Sequence, residues 1–234
     1  MTGDEQPGNS ATTDGMVPET PEAAQAVFGE ATGAAARYVA MLAGDGVVRG
    51  LIGPREVPRL WDRHVLNSAA LAEAVPPGAR VVDVGSGAGL PGIPLGLARP
   101  DLTLTLVEPM ARRVEFLQDV VTALQMPWRI VRGRAEERSV ARAVGPVDVV
   151  TARAVAPLPR LVGWCRGLLT PGAQLITLVG ARAAAEVPGL VPELEAAGMR
   201  DVHIRAVGVG LGAAATTVVV MTRGGTRRPA RSTG

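Results

Sequence analysis

The residues best suited to chemistry lie between Val81 and Gly92, which read Val-Val-Asp-Val-Gly-Ser-Gly-Ala-Gly-Leu-Pro-Gly. Three alternating glycines, Gly85, Gly87 and Gly89, follow a short apolar run that ends in Asp83 and Val84. Without Cβ atoms such a backbone turns sharply and lets a ligand lie against it, at the carboxyl end of a strand where open α/β sheets bind their ligands. Two carboxylates flank it, Asp83 and Glu108, the latter 23 residues beyond Gly85. That is close to the roughly 20 residues that separate a glycine loop from an acid holding a ribose. Gly87, Gly89 and Gly92 satisfy the dinucleotide pattern G-x-G-x-x-G. The match starts two residues late, however, and Pro91 and Pro94 crowd the helix end that would receive a pyrophosphate. S-adenosylmethionine has no phosphate, and its ammonium group and ribose hydroxyls need acceptors, which Asp83 and Glu108 supply. The methyl donor is the leading reading of the loop, with a dinucleotide or a tight turn without ligand as alternatives.

Further along, Gly133-Arg134-Ala135-Glu136-Glu137 follows a strand-like run and could edge an adenine, or be an exposed helix start. Thr151-Ala152-Arg153-Ala154 ends another, where an acceptor would approach the methyl group. Arg153 there is either a carboxylate partner or a contact to cofactor or substrate. Absences narrow the acceptor atom. All 24 basic residues are Arg, so no ammonium nucleophile, Schiff base or lysine-built 2′-O-methylation set is available. The single cysteine, Cys165, lies in an apolar helical stretch that suits packing rather than attack on a pyrimidine carbon. No Asn/Asp-Pro-Pro-aromatic loop for an exocyclic amine is present. A ring nitrogen such as guanine N7 carries no proton to remove, so alignment without a general base suffices; a small-molecule acceptor stays open at this point.

These residues need a frame. After Gly78, β-branched runs alternate with helical segments, the pattern of a parallel sheet covered on both faces. Strands are predicted at 80–84, 102–108, 128–132, 147–151 and 173–179, with helices at about 91–98, 110–125, 137–143, 158–169 and 182–197. Two last strands, 203–207 and 216–222, are joined by a glycine-rich link too short for a crossover helix and should pair antiparallel. Before the sheet, helices are predicted from Pro21 to Ala43, stopped by Gly44, and from Pro54 to Val75. The expected organisation is a tail at 1–20, a helical extension at 21–77, a core at 78–222 and a basic tail at 223–234, both tails disordered. The fold class is α/β: a Rossmann-like class I methyltransferase with a mostly parallel seven-stranded sheet, an antiparallel last strand and an N-terminal helical extension.

The whole chain of 234 residues has a formal net charge of +2, but its acids crowd the first 30 residues, and the 16 that remain against 24 arginines leave residues 31–234 at +8. That charge suits an anionic partner such as nucleic acid, while an arginine-rich, lysine-free composition equally fits a GC-rich genome. Aromatic residues are only 3%, too few for a platform stacking several bases. One cysteine excludes an internal disulfide and cysteine-rich zinc sites. No apolar run reaches membrane-spanning length and the acidic N-terminus does not read as a signal peptide, so a cytoplasmic setting is expected.

Taken together, Trp61-Asp62-Arg63-His64-Val65-Leu66-Asn67-Ser68, the run Asp83 to Pro94, Arg134-Ala135-Glu136 and the run Ala152 to Leu158 resemble the glucose-inhibited-division B (RsmG) family, the 16S ribosomal RNA guanine-N7 methyltransferases. The resemblance spans residues 25–222. It implies S-adenosyl-L-methionine as cofactor and 16S rRNA in the small ribosomal subunit as partner, with no membrane and no metal, and a monomer is expected. It implies cofactor contacts at Gly85, Leu90, Ala135, Glu136 and Arg153, Glu108 in the ribose region, and Gly87 and Gly89 shaping the loop. It also implies that a helix face carrying Arg63, His64, Asn67 and Ser68 borders cofactor or RNA. Where the family has a lysine this chain has Val179, and Arg182 is the candidate replacement near the substrate entrance. A small-molecule methyltransferase and a cofactor-binding RNA partner without turnover are the competing functions.

Overall fold

The computed structural model describes residues 17–153 and 156–225. Runs of Val, Leu, Ile and Thr form seven strands: β1 (Arg80–Val84), β2 (Thr103–Glu108), β3 (Arg129–Arg132), β4 (Val149–Arg153), β5 (Gln174–Val179), β6 (Met199–Val207) and β7 (Thr216–Arg223). They make one sheet in the order β3-β2-β1-β4-β5-β7-β6. The first five are parallel, and β7 inserts between β5 and β6 antiparallel to both. A 3₁₀ turn, Val209–Ala214, closes the β6–β7 hairpin in place of a crossover helix.

Alternation along each strand splits the core into two faces. Val81, Leu104, Leu106, Val149, Ile176 and Val218 point to one cluster, and Val82, Val107, Val150, Leu175 and Val219 to the other. Helices α4 (Gly92–Ala98) and α5 (Ala111–Ala123) cover the first face, α6 (Arg138–Val144), α7 (Leu158–Cys165) and α8 (Ala181–Ala196) the second. On α5 the buried residues are Val114, Phe116, Leu117 and Val120.

The N-terminal extension shares the first cluster, with Phe28, Tyr38, Leu42, Trp61 and Leu66 packed in the same core as Leu104 and Ile176. Its helices are α1 (Glu22–Phe28), α2 (Thr32–Met41) and the short α3 (Asn67–Ala69). Gly44 does not stop the chain as expected: a π-helical turn, Leu42–Gly46, carries α2 onward, because burying Tyr38, Val39 and Leu42 outweighs the roughly 1 kcal/mol that a helical glycine costs. The stretch after Pro54 is 3₁₀ at Pro54–Arg59, π-helical at Leu60–Leu66, α-helical in α3 and 3₁₀ again at Ala70–Glu73. At its end Arg99 donates to the carbonyls of Ala72, Val75 and Pro76 and ties the extension to the end of α4.

Other differences from expectation are local. β4 starts at Val149 and runs on to Arg153, paired with Leu178, so Arg153 is a strand residue. β6 begins at Met199 with an irregularity between Arg200 and His203. α7 ends at Cys165. Arg223, assigned by its charge to the C-terminal tail, belongs to β7 and donates to the Ala197 carbonyl. Most of both predicted tails, residues 1–16 and 226–234, lies outside the described residues. Among the described residues no helix is long and apolar enough to cross a membrane.

Candidate functional site

The glycine loop leaves β1 with Gly85, Gly87 and Gly89 all at positive φ, 68°, 59° and 98°. A Cβ at Gly89 would stand 2.3 Å from Ile93 Cδ1 and 3.1 Å from the Tyr38 hydroxyl, so both conformation and space demand glycine there. The loop is pinned on three sides. The Gly85 N–H donates to the Val107 carbonyl at 2.8 Å, the Gly87 N–H donates to Glu108 Oε2 at 2.9 Å, and the buried Tyr38 hydroxyl donates to the Ala88 carbonyl at 2.8 Å. Glu108 is itself buried, and its other oxygen accepts the Met110 N–H at 3.0 Å. The second-strand acid therefore shapes the loop as well as facing the space beside it.

Asp83 is fully buried. Its Oδ2 accepts the Gly92 N–H at 3.1 Å and its Oδ1 has no partner. Burial pushes this carboxyl up to about 7, against the pull of the Gly92 N–H. Thr151, the register neighbour of Asp83 on β4, also has a buried and unpartnered oxygen, Oγ1. Two buried oxygens without a partner thus lie on neighbouring strands, Asp83 near the end of β1 and Thr151 in the middle of β4.

A cavity of about 180 Å³ opens beside the loop. It is lined by Gly85, Glu108, Met110, Arg113, Ala135, Glu136 and Trp164 among others. Four residues predicted from sequence to meet the cofactor, Gly85, Glu108, Ala135 and Glu136, therefore converge from β1, β2 and the β3–α6 loop. A carboxylate at the β2 end with Met110 and Trp164 as apolar walls suits a ribose and a purine. Met110, Arg113 and Trp164 were not singled out by sequence reasoning. Trp164 is one of three tryptophans, and only the fold shows that α7 brings it to the loop after β3.

A second cavity, of about 540 Å³, lies at the ends of β4 and β5. Arg63, Asn67, Arg153, Thr177, Val179 and Glu186 line it, with apolar walls from Leu158, Leu161 and Leu190. Arg153 reaches back to the extension. Its Nη1 donates to Ser68 Oγ at 3.1 Å and the His64 carbonyl at 3.4 Å, and its Nη2 donates to the Arg63 carbonyl at 3.0 Å and His64 Nδ1 at 3.2 Å. All four acceptors are neutral, so the positive charge of this half-buried guanidinium is not compensated by a carboxylate bonded to it.

Because Arg153 only donates, His64 Nδ1 must accept, and the ring proton sits on Nε2, which donates to Glu56 Oε2 at 2.7 Å. Glu56 Oε1 in turn accepts Arg63 Nη1 at 3.2 Å. Burial lowers the His64 pKa, Arg153 and Arg63 lower it further, and Glu56 pulls the other way. Asn67 Nδ2 donates to the Ala214 carbonyl and joins the extension to the β6–β7 turn.

The remaining expected residues stand apart. Gly87 and Leu90 lie in the loop, Leu90 packed against the core, and line neither cavity; nor do Asp83 and His64, which act from behind. Arg182 is 95% exposed at the start of α8, its Nε 3.4 Å from Glu186 Oε1, and is not among the residues lining the larger cavity. Cys165 is buried and its thiol is pushed up to about 12 by burial, with Glu136 adding to the shift, which fits packing. Among the described residues no group of His, Cys, Asp or Glu could hold a metal ion.

A family model described as rRNA small subunit methyltransferase G matches residues 32–211. The chain is 52% identical over 216 residues to a ribosomal RNA small subunit methyltransferase G of Mycobacterium sp. (strain KMS), covering 91% of this chain and 96% of that one. It is 50% identical over 204 residues to the protein of the same name from Mycolicibacterium gilvum, covering 87% and 90%. Among solved structures, the mitomycin 7-O-methyltransferase MmcR is similar with a TM-score of 0.56 at 17% identity, covering 80% of this chain and 60% of that one. An O-methyltransferase family protein from Burkholderia thailandensis is similar with a TM-score of 0.51 at 14% identity, covering 82% and 63%. These two likenesses concern the fold.

Proposed function

The chain belongs to the rRNA small subunit methyltransferase G family, and from that premise we propose that it transfers a methyl group from S-adenosylmethionine to N7 of one guanine in 16S rRNA of the small ribosomal subunit. The observation that carries the cofactor half of this reading is the convergence of Gly85, Glu108, Ala135 and Glu136 on one cavity beside a positive-φ glycine loop. The polar groups present fit that donor. Glu108 faces the cavity as a ribose acceptor. Arg153, whose Nη donors are held by neutral acceptors, keeps its charge and its Nε–H for the carboxylate of the amino-acid end. Asp83 supports the loop from behind through the Gly92 N–H.

When bound, the donor supplies a methyl carbon on a positively charged sulfur, which a guanine N7 lone pair takes while the sulfur keeps the bonding electrons and no proton has to leave. The chain's own work is then alignment and the exclusion of water. Tyr38, Glu108 and the Val107 carbonyl hold the glycine loop in one conformation, and Arg153 fixes the end of β4 against the extension. The larger cavity, rimmed by Arg63 and Arg153, takes the acceptor nucleotide. The enzyme works in the cytoplasm, where the subunits are.

The test is incubation of the purified protein with methyl-labelled S-adenosylmethionine and small ribosomal subunits lacking the modification, followed by cleavage at N7-methylguanine. A single labelled guanine in 16S rRNA is expected. Absence of label in the rRNA with donor binding intact would overturn the reading.

A further inference from the structure

Among the described residues lining the larger cavity, the one carboxylate is Glu186, set with the cations Arg63 and Arg153, the neutral polar Asn67, Thr177 and Thr216, and apolar side chains. Cations there suit RNA phosphates, but a carboxylate repels them, so Glu186 calls for a partner other than the backbone. Guanine presents N1–H and a 2-amino N–H side by side on its Watson–Crick edge, a pair of donors that two carboxylate oxygens can accept together. N7 lies on a different edge of the same base, that of the imidazole ring. A base seated with N7 toward the methyl donor would therefore offer these donors to a different wall of the cavity. Glu186 lines the cavity from α8, while Arg153 lines it from the end of β4.

We propose that Glu186 determines specificity by accepting hydrogen bonds from N1–H and the 2-amino group of the target guanine, turned out of the RNA strand into this cavity. The inference rests on the methyl-transfer reading above and names the group that recognises its substrate. A volume of about 540 Å³ is ample for one nucleoside. Bases taken out of a strand for chemistry are read on this edge. The carboxylate is available, because its Arg182 partner is at 3.4 Å with the two side chains 95% and 60% exposed, an ion pair that water screens and that costs little to exchange.

Catalysis gains as well. Methylation at N7 moves positive charge from sulfur onto the purine, which makes N1–H and the amino group stronger donors. A carboxylate on that edge therefore holds the transition state more tightly than the substrate, and its loss lowers kcat as well as raising KM.

The test combines Glu186→Ala and Glu186→Gln with small subunits carrying either guanosine or inosine, which lacks the 2-amino group, at the labelled position. Glu186→Ala is expected to lower kcat/KM for guanosine subunits about 10- to 100-fold while S-adenosylhomocysteine binds as in the parent. Glu186→Gln, keeping one acceptor, should fall between. Inosine should slow the parent enzyme several-fold and leave Glu186→Ala no slower than it already is. Parent-like activity of Glu186→Ala, or an inosine penalty undiminished in that variant, overturns the proposal while leaving rRNA methylation standing. Failure of the parent to label any RNA removes the reading and the proposal together, and altered S-adenosylhomocysteine binding in both variants would assign Glu186 to the fold instead.

Discussion

Replacing Asp83 by Asn should make the ligand-free protein more stable at alkaline pH and leave its stability almost unchanged near pH 4. The carboxyl is fully buried, bonded through one oxygen to the Gly92 N–H and bare at the other. Burial raises its pKa from 3.8 to about 7. In the folded chain it therefore keeps a proton that the unfolded chain has lost. A folded-state pKa above the unfolded value means stability that is complete below about pH 4 and lost as pH rises through about 7. The shift of roughly three pH units at 1.36 kcal/mol each corresponds to about 4 kcal/mol. Asn stays neutral throughout, its carbonyl can keep the Gly92 N–H, and its amide gives a donor on the side where Thr151 Oγ1 has none. Urea unfolding of both proteins at about pH 5 and about pH 8.5 is the assay, and the variant should gain up to about 4 kcal/mol over the parent at the higher pH. Groups that titrate elsewhere, His64 among them, are common to both proteins and cancel in the difference. If the parent loses nothing between the two pH values, or the variant follows the same slope, Asp83 is ionised at little cost and the argument fails.

Three further outcomes follow from the geometry. Arg153→Met should weaken S-adenosylhomocysteine binding about 10- to 100-fold in calorimetric titration, the worth of a hydrogen-bonded charge pair; unchanged affinity would remove Arg153 from the cofactor site. The parent's affinity should also fall at acid pH, below the ordinary histidine range because burial lowers the His64 pKa, as His64 takes a proton on Nδ1, which faces Arg153 Nη2 at 3.2 Å, with Arg63 and Glu56 its other charged neighbours. His64→Asn can keep an acceptor that does not titrate, and its affinity should lack that acid loss. Gly92→Ala would set a Cβ 2.6 Å from Leu106 Cδ2 and 2.7 Å from Asp83 Oδ2, both buried. It should cost about 2–4 kcal/mol and lower Tm by about 5–15 °C in a melting experiment, and a Tm within about 2 °C of the parent would show that the loop can give way.

The central strands were legible because they are buried on both faces and so carry apolar runs: β1 falls on the predicted residues and β2 starts one residue late, as does the half-exposed edge strand β3. The extension was legible only as helix. Its changes between α, 3₁₀ and π follow from packing Phe28, Tyr38, Trp61 and Leu66 on the sheet, a tertiary effect with no local signature. The same irregularity hid Glu56, eight residues before His64 and joined to it through a stretch where helical spacing fails. At the site, the glycine loop and its two acids were readable because chemistry fixes their spacing. The carboxylate of the larger cavity was not, since residue type drew attention to the cation Arg182, while Glu186, one turn further along the same helix face, is the residue that lines the cavity.

The extension is best understood as part of the site rather than as a domain in front of it. A Rossmann-like sheet by itself offers the carboxyl ends of its strands, and the loops there must be held in one conformation before methyl transfer can be aligned. Here much of the holding comes from the first 77 residues: Tyr38 on the Ala88 carbonyl fixes the glycine loop, and Arg63, His64 and Ser68 fix Arg153. The π-helical turn at Leu60–Leu66 matters because it sets the carbonyls of Arg63 and His64 within reach of one guanidinium together with the His64 ring and Ser68. Arg153 therefore takes its orientation from neutral groups and keeps its charge for a ligand, which a carboxylate partner on the extension would have cancelled.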